Sequence, residues 1–222
     1  MKSLRLILAS LSFSLTACAA AHADTPTIKA PVVFDMPQIE LDRAAVRAKL
    51  AERRKITIKN FIAYRDAMVY PINELPGGGF RHVWVDRLGH LCAAATLISK
   101  DWGVEATKNV GKTNVELRMA DVKSGPVLDW LLTSGMTRAE IVAIQVPGWQ
   151  DKEYKQLKPS ARDLEISRLY EIYVDVERQL KSLDQDNLDL ATDELMKHPA
   201  LARDLLAGKV AGPGKFAKPP VG

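Results

Sequence analysis

Cysteine is scarce in this chain, with only Cys18 and Cys92 among 222 residues. Two thiols cannot build a disulfide framework or a thiolate-rich zinc site. Long apolar runs are also missing. Beyond the N-terminal region nothing approaches the ~18 consecutive apolar residues that a membrane-crossing helix needs. A strong excess of one charge is absent too: Lys and Arg number 31 against 27 acidic residues, a formal +4. Lys2 and Arg5 fall in a segment that reads as removable, which leaves about +2 on the rest. Such a balance makes no demand for nucleic acid, and no nucleic-acid partner is expected.

What is present begins at the N-terminus. Lys2 and Arg5 precede the short apolar stretch "LILASLSFSL", residues 6–15, and small residues follow. This is the order of an export signal. Two cutting sites lie close together. Ala21-His22-Ala23 before Asp24 is an ordinary secretory site, making residues 1–23 the signal. Leu15-Thr16-Ala17-Cys18 resembles the bacterial lipobox, making the signal residues 1–17 and Cys18 a lipidated first residue. The lipobox sits directly after the apolar stretch, where such a motif belongs. Multiple acyl chains would anchor the protein in a bilayer, at ~0.8 kcal/mol per buried CH₂. Ala19 follows the cysteine, and resemblance to Gram-negative lipoproteins then implies the outer membrane, facing the periplasm. Either cut removes Cys18 from disulfide chemistry and leaves Cys92 alone in an oxidising compartment.

The remaining chain, about 200 residues, suffices for one domain. Residues 24–38 carry Pro26, Pro31 and Pro37 and read as a linker. Residues 39–206 read as a single α-rich domain, and 207–222 as a disordered tail. Within the domain, helical spacing runs over residues 39–70, with a bend expected at Ile56-Thr57-Ile58 and an end at Pro71. "NELPGGGF" reads as a loop. "HVWVD" and "HLCAAA", joined by "RLG", predict a β-hairpin in which Asp86 pairs with His90, Trp84 with Cys92 and Val83 with Ala93. "TLISKDW" reads as a short helix, "TKNVGKTN" as a loop and "VELRMADV" as an ambiguous strand. Two short helices follow, marked by Pro126, Gly135 and a Thr137–Glu140 capping box. A long helix from Ser160 carries the stripe Leu169, Ile172, Tyr173, Val176, Leu180 and Leu183, and one or two short helices close the domain. The fold class expected is α+β, mostly α-helical, with one small β-hairpin or short antiparallel sheet.

The chemistry-bearing residues gather on that hairpin. Period-two alternation would put His82, Trp84, Asp86, His90 and Cys92 on one face. Thiol, imidazole and carboxylate together could form a Cys–His nucleophile site. The plainer reading makes Cys92 a small hydrophobe packed under Trp84. On a buried strand, Cys92→Ser would then be worse than Cys92→Ala, through an unpaired hydroxyl. His82, Asp86, His90 and Cys92 have no established zinc spacing, so no metal or cofactor is expected.

Four other patterns are weaker. "ATKNVGKT" imitates a P-loop but lacks its first glycine and its strand–helix setting. The helices around Gly135 imitate a helix-turn-helix, but Leu131 stands where close packing wants a small residue. "DQDNLD" fails as a calcium loop and reads as a helix connection capped by Asp186 or Asn187. Arg43, Arg47, Lys49, Arg53, Arg54 and Lys55 read as a solvated helix face, with contact to anionic head groups as the alternative.

"WVDRLGHLCAAATLI" and "ADVKSGPVLDWLLTSGMTRAEIVAIQ" resemble segments of exported bacterial proteins of an uncharacterised family. The resemblance supports reading 39–206 as one unit and brings no activity with it. The function expected is therefore a non-catalytic cell-envelope protein, lipid-anchored or periplasmic. The alternative is an envelope or secreted enzyme using Cys92 and a nearby histidine.

Overall fold

The computed structural model describes residues 40–71, 82–145 and 159–213. The expected export signal and linker, Cys18, the "NELPGGGF" stretch and the end of the expected tail lie outside the described residues, as do the side chains of 159–162.

The central element is α1, Arg43–Ala67. Asp42 caps it by accepting from the Ala44 N–H at 2.8 Å, and Met68, at φ 50°, ends it ahead of Pro71. The bend expected at Ile56-Thr57-Ile58 is absent. Thr57 Oγ1 donates back to the Arg53 carbonyl and reaches Ser134 O, so this β-branched residue is absorbed into an unbroken helix.

The predicted β-hairpin is corrected. Among the described residues regular structure is helical, and the segment contributes only one isolated antiparallel bridge, Val85 with Leu91. The turn itself exists in the expected register, with Asp86 N–H to His90 O and Cys92 N–H to Trp84 O, both 3.0 Å. It cannot extend, because Ala93 opens a helix, α2 (Ala93–Trp102). Ala93-Ala94-Ala95 combine the best helix former with no β-branched side chain, and Cys92 serves as the N-cap. The expected polar and apolar faces do not form, since Val83, Trp84, Leu91 and Cys92 are all buried.

The expected loop "TKNVGKTN" is instead mostly helix, α3 (Val104–Thr113). Its Gly111 admits Trp84 and Val85, whose atoms would stand 2.9 and 2.8 Å from a Cβ built there. The expected strand "VELRMADV" forms a turn and a 3₁₀ segment, Met119–Asp121. The following pair conforms to the sequence reading. Pro126 opens α4 (Pro126–Thr133), and the Thr137–Glu140 box opens α5 (Arg138–Gln145), with reciprocal bonds of 2.8 and 3.2 Å. Gly135, at φ 80°, presses this turn onto α1; a Cβ there would lie 2.3 Å from Leu50 O and 2.6 Å from Arg54 N.

The last three helices are α6 (Pro159–Ser182), α7 (Asp184–Met196) and α8 (Pro199–Leu206). Tyr173, Val176 and Leu180 of α6 are buried, whereas Leu183 faces solvent. "DQDNLD" is the first turn and a half of α7 rather than a connection capped by Asp186 or Asn187. Residues 207–213 run back to α2, where Trp102 Nε1 donates to Ala211 O.

Candidate functional site

The four residues singled out on the hairpin fall into two separate arrangements. Asp86 and His90 close the turn. One Asp86 oxygen accepts the His90 backbone N–H at 2.8 Å, and the other lies 2.9 Å from His90 Nδ1. The Asp86 carboxylate is 2% exposed, while the His90 ring is half-buried. An aspartate that receives both groups from the residue four positions on is a turn lock, and it turns the His90 ring toward itself.

Cys92 lies deeper. Its Sγ accepts from the Ala95 N–H at 3.4 Å, which fills the N-cap role that α2 requires. Burial pushes the thiol pKa up to about 12; the Ala95 N–H and the neighbouring Gln145 amide offset only part of that. A thiol held this way is not a thiolate nucleophile at neutral pH.

His82 is also buried, and its partner is Gln145. The Gln145 Nε2 lies 3.0 Å from His82 Nε2 and donates to Leu117 O at 2.9 Å, while its Oε1 accepts from Met119 N at 2.7 Å. Because the amide nitrogen can only donate, His82 Nε2 is the acceptor and the ring proton sits on Nδ1. Burial lowers the His82 pKa to about 4, so the ring is neutral at physiological pH. Among the described residues neither imidazole bonds the Cys92 sulfur, and no three His, Cys, Asp or Glu side chains converge as a metal set.

Near the thiol stands an aromatic group from α1, the segment just after it, and α6. Tyr173 packs edge-on to Phe61 and Tyr64 at 5.5 and 5.7 Å, with Tyr70 tilted against both tyrosines at 5.4 Å. The Tyr64 hydroxyl is buried near Tyr173 without a hydrogen bond of good geometry. Burial raises the pKa of both phenols, Tyr64 and Tyr173, and keeps them protonated.

Sequence reasoning missed the most highly bonded side chain. Arg54, 2% exposed, donates from Nε to Asp184 at 2.7 Å. Its two terminal nitrogens reach both Glu140 oxygens at 2.9 and 2.7 Å, the carbonyls of Gly135 and Leu180, and the Met136 sulfur. Burial disfavours the guanidinium charge, but Glu140 and Asp184 outweigh it and the pKa is raised. Glu140 is held in turn by Thr137 and Asn187. The signal lay in α1, where the buried series Leu50, Arg54, Thr57, Phe61, Tyr64 steps by three and four residues straight through the arginine.

Most of the rest of the basic run is paired, while Lys55 is exposed. Arg43 and Arg47 pair with Asp193 and Asp189 of α7, Arg53 pairs with Asp101 beside Trp130 Nε1, and Lys49 pairs with Glu52. Arg43, Lys49 and Lys55 keep the solvated face expected of the run, whereas Arg53 and Arg54 are drawn into the unit. Comparison of the chain with protein-family models, curated proteins and solved structures finds no match.

Proposed function

We propose that this is an exported, non-catalytic cell-envelope protein, anchored through an acylated Cys18 in the outer membrane of a Gram-negative bacterium. The observation that carries the reading is Leu15-Thr16-Ala17-Cys18 placed directly behind a short apolar stretch with Lys2 and Arg5 ahead of it. Among the described residues no helix is long and apolar enough to cross a membrane, so in this reading attachment falls to the acyl chains. What speaks for a non-catalytic role is the state of the reactive groups. The Cys92 thiol caps a helix in the core, His82 accepts from a buried amide, and His90 is bonded to Asp86.

Intact mass spectrometry of the protein from its native envelope tests the reading. A diacyl- or triacyl-glyceryl Cys18 is the expected N-terminus; a free Asp24 overturns the anchor. A thiol probe tests the second half. Cys92 should stay unmodified in folded protein, and rapid stoichiometric labelling at neutral pH would reinstate a nucleophile.

A further inference from the structure

Gln145, the last residue of α5, is 3% exposed and ties three stretches of chain together. Its Oε1 accepts from Met119 N at 2.7 Å, and its Nε2 donates to Leu117 O at 2.9 Å and to His82 Nε2 at 3.0 Å. The two backbone groups are of opposite kind, an N–H and a carbonyl, so they fix which way the amide faces. Turning it over would set its N–H groups against the Met119 N–H. Toward His82 the amide therefore presents a donor, and the ring must meet it as a bare acceptor. A proton added at His82 Nε2 sets donor against donor at a side chain only 7% exposed. The Leu117 carbonyl beside the ring could take that proton, but the Gln145 N–H that faced His82 has lost its acceptor either way. The surrounding charges do not relieve this. Arg118 opposes protonation of the ring and Glu116 favours it, while Arg138 of α5 is engaged with the Met119 and Val122 carbonyls. On the α2 side the amide meets the neutral Cys92 thiol.

We propose that the Gln145 junction is an acid-released latch, in which protonation of His82 undoes the contacts that hold the start of the 82–85 stretch and residues 117–119 to the end of α5. The release is local, and Trp84 is its hinge. The Trp84 N–H donates to Val115 O at 2.7 Å, its indole N–H to Thr107 O at 2.9 Å, and its carbonyl accepts from the Cys92 N–H at 3.0 Å. None of these groups titrates, so the chain beyond Trp84 stays in place while the His82 end lets go. Burial, which lowers the ring's pKa to about 4, sets the direction: the open form takes up the proton first as pH falls. Between pH 6.5 and pH 4 the opening equilibrium then rises by about a hundredfold. The latch operates whether or not Cys18 is acylated.

Amide hydrogen exchange read by NMR on the full chain tests this, with rates corrected for the intrinsic effect of pH. The Met119 N–H, held by Gln145 Oε1, should lose protection by about a hundredfold between pH 6.5 and pH 4. The Phe61 N–H, in the middle of α1, should keep its protection over the same range. The His82 ring resonances should titrate together with the loss at Met119. In His82→Gln, Met119 should stay protected at both pH values; in Gln145→Met, which removes the amide, it should be unprotected at both. A ring that takes up its proton while Met119 stays protected overturns the proposal. So does a fall at Phe61 equal to that at Met119, which would be global unfolding. An undiminished fall in His82→Gln, or a Gln145→Met variant that behaves as the parent, would overturn it as well, by assigning the pH response to other groups.

Discussion

Arg54 and His82 are both buried polar side chains, and the fold treats them in opposite ways. Arg54 stays charged, because five hydrogen bonds to oxygen from Asp184, Glu140, Gly135 and Leu180 replace the water it loses. His82 stays neutral, because burial outweighs the help that the nearby Leu117 backbone would give a charged ring, and the Gln145 amide meets it as a neutral acceptor. The first arrangement joins α1, α6, α7 and the α4–α5 turn; the second joins three short stretches around Gln145. The contrast teaches where burial of a polar group specifies the fold and where it merely tolerates a neutral one. A buried charge is kept only by partners from several elements, so it dictates how those elements assemble.

The sharpest way to break the comparison is Arg54→Met. It leaves the Glu140 carboxylate, 7% exposed, without its cation, and removing one partner of a buried pair costs about 3–5 kcal/mol. Urea unfolding should show that loss. The double variant Arg54→Met with Glu140→Leu should recover part of it, because no charge is then stranded. A single variant as stable as the parent would mean that the Arg54 bonds specify little.

Next in size is the backbone beside the arginine. Gly135→Ala meets both a positive φ and the α1 backbone at 2.3 Å, and neither can relax by rotating a side chain. The left-handed conformation alone costs an alanine ~1–2 kcal/mol, and the overlap adds to it. Thermal melts should place Gly135→Ala below Gly125→Ala, whose φ is 84° but whose Cβ would meet nothing within 4 Å. Equal losses would mean that conformation, and not contact with α1, fixes this glycine.

For His82 the lever is pH. Its folded pKa of about 4 lies below the ordinary 6.5, so the unfolded chain takes up the proton first as pH falls. The stability linked to this ring is therefore complete above about pH 6.5 and is lost progressively toward pH 4. The loss is on the order of 3 kcal/mol. His82→Gln, which keeps an acceptor for Gln145, should flatten the pH dependence of unfolding in that window. The carboxylates of Asp189 and Glu177, held low chiefly by Arg47 and Lys181, are untouched by the substitution and contribute equally in both proteins.

These residues also mark how far the sequence could be read. α4 and α5 were legible because their boundaries are local chemistry, with a proline at the first turn, a glycine at positive φ and a capping box whose partners stand three residues apart. Arg54 was not, because an arginine among other basic residues looks solvated until α7 supplies Asp184 and α5 supplies Glu140. At 82–95 local chemistry was read too far. The register Trp84 with Cys92 is real, but three alanines prefer a helix once no second strand pair holds them extended. Gly111 misled in the same way, since it looks like loop punctuation and is needed where α3 lies on Trp84 and Val85. Of the candidate site, the pairing of Asp86 with His90 was legible from turn spacing, and the partnership of His82 with Gln145 was not.

The smallest effect is the ranking of two variants at Cys92, and the helix that replaced the strand inverts it. On a strand, a serine would bury an unpaired hydroxyl and fare worse than alanine. At the N-cap of α2 the side chain accepts from the Ala95 N–H, a role serine performs well and alanine cannot. Cys92→Ala loses that acceptor and leaves a small cavity, about 1–2 kcal/mol together. Cys92→Ser keeps the acceptor and should lie above alanine by about 0.5–1 kcal/mol. Paired thermal melts decide it. Serine falling below alanine would mean that apolar packing against the tyrosines outweighs the cap, and Cys92 would then belong with the core rather than with the helix it begins.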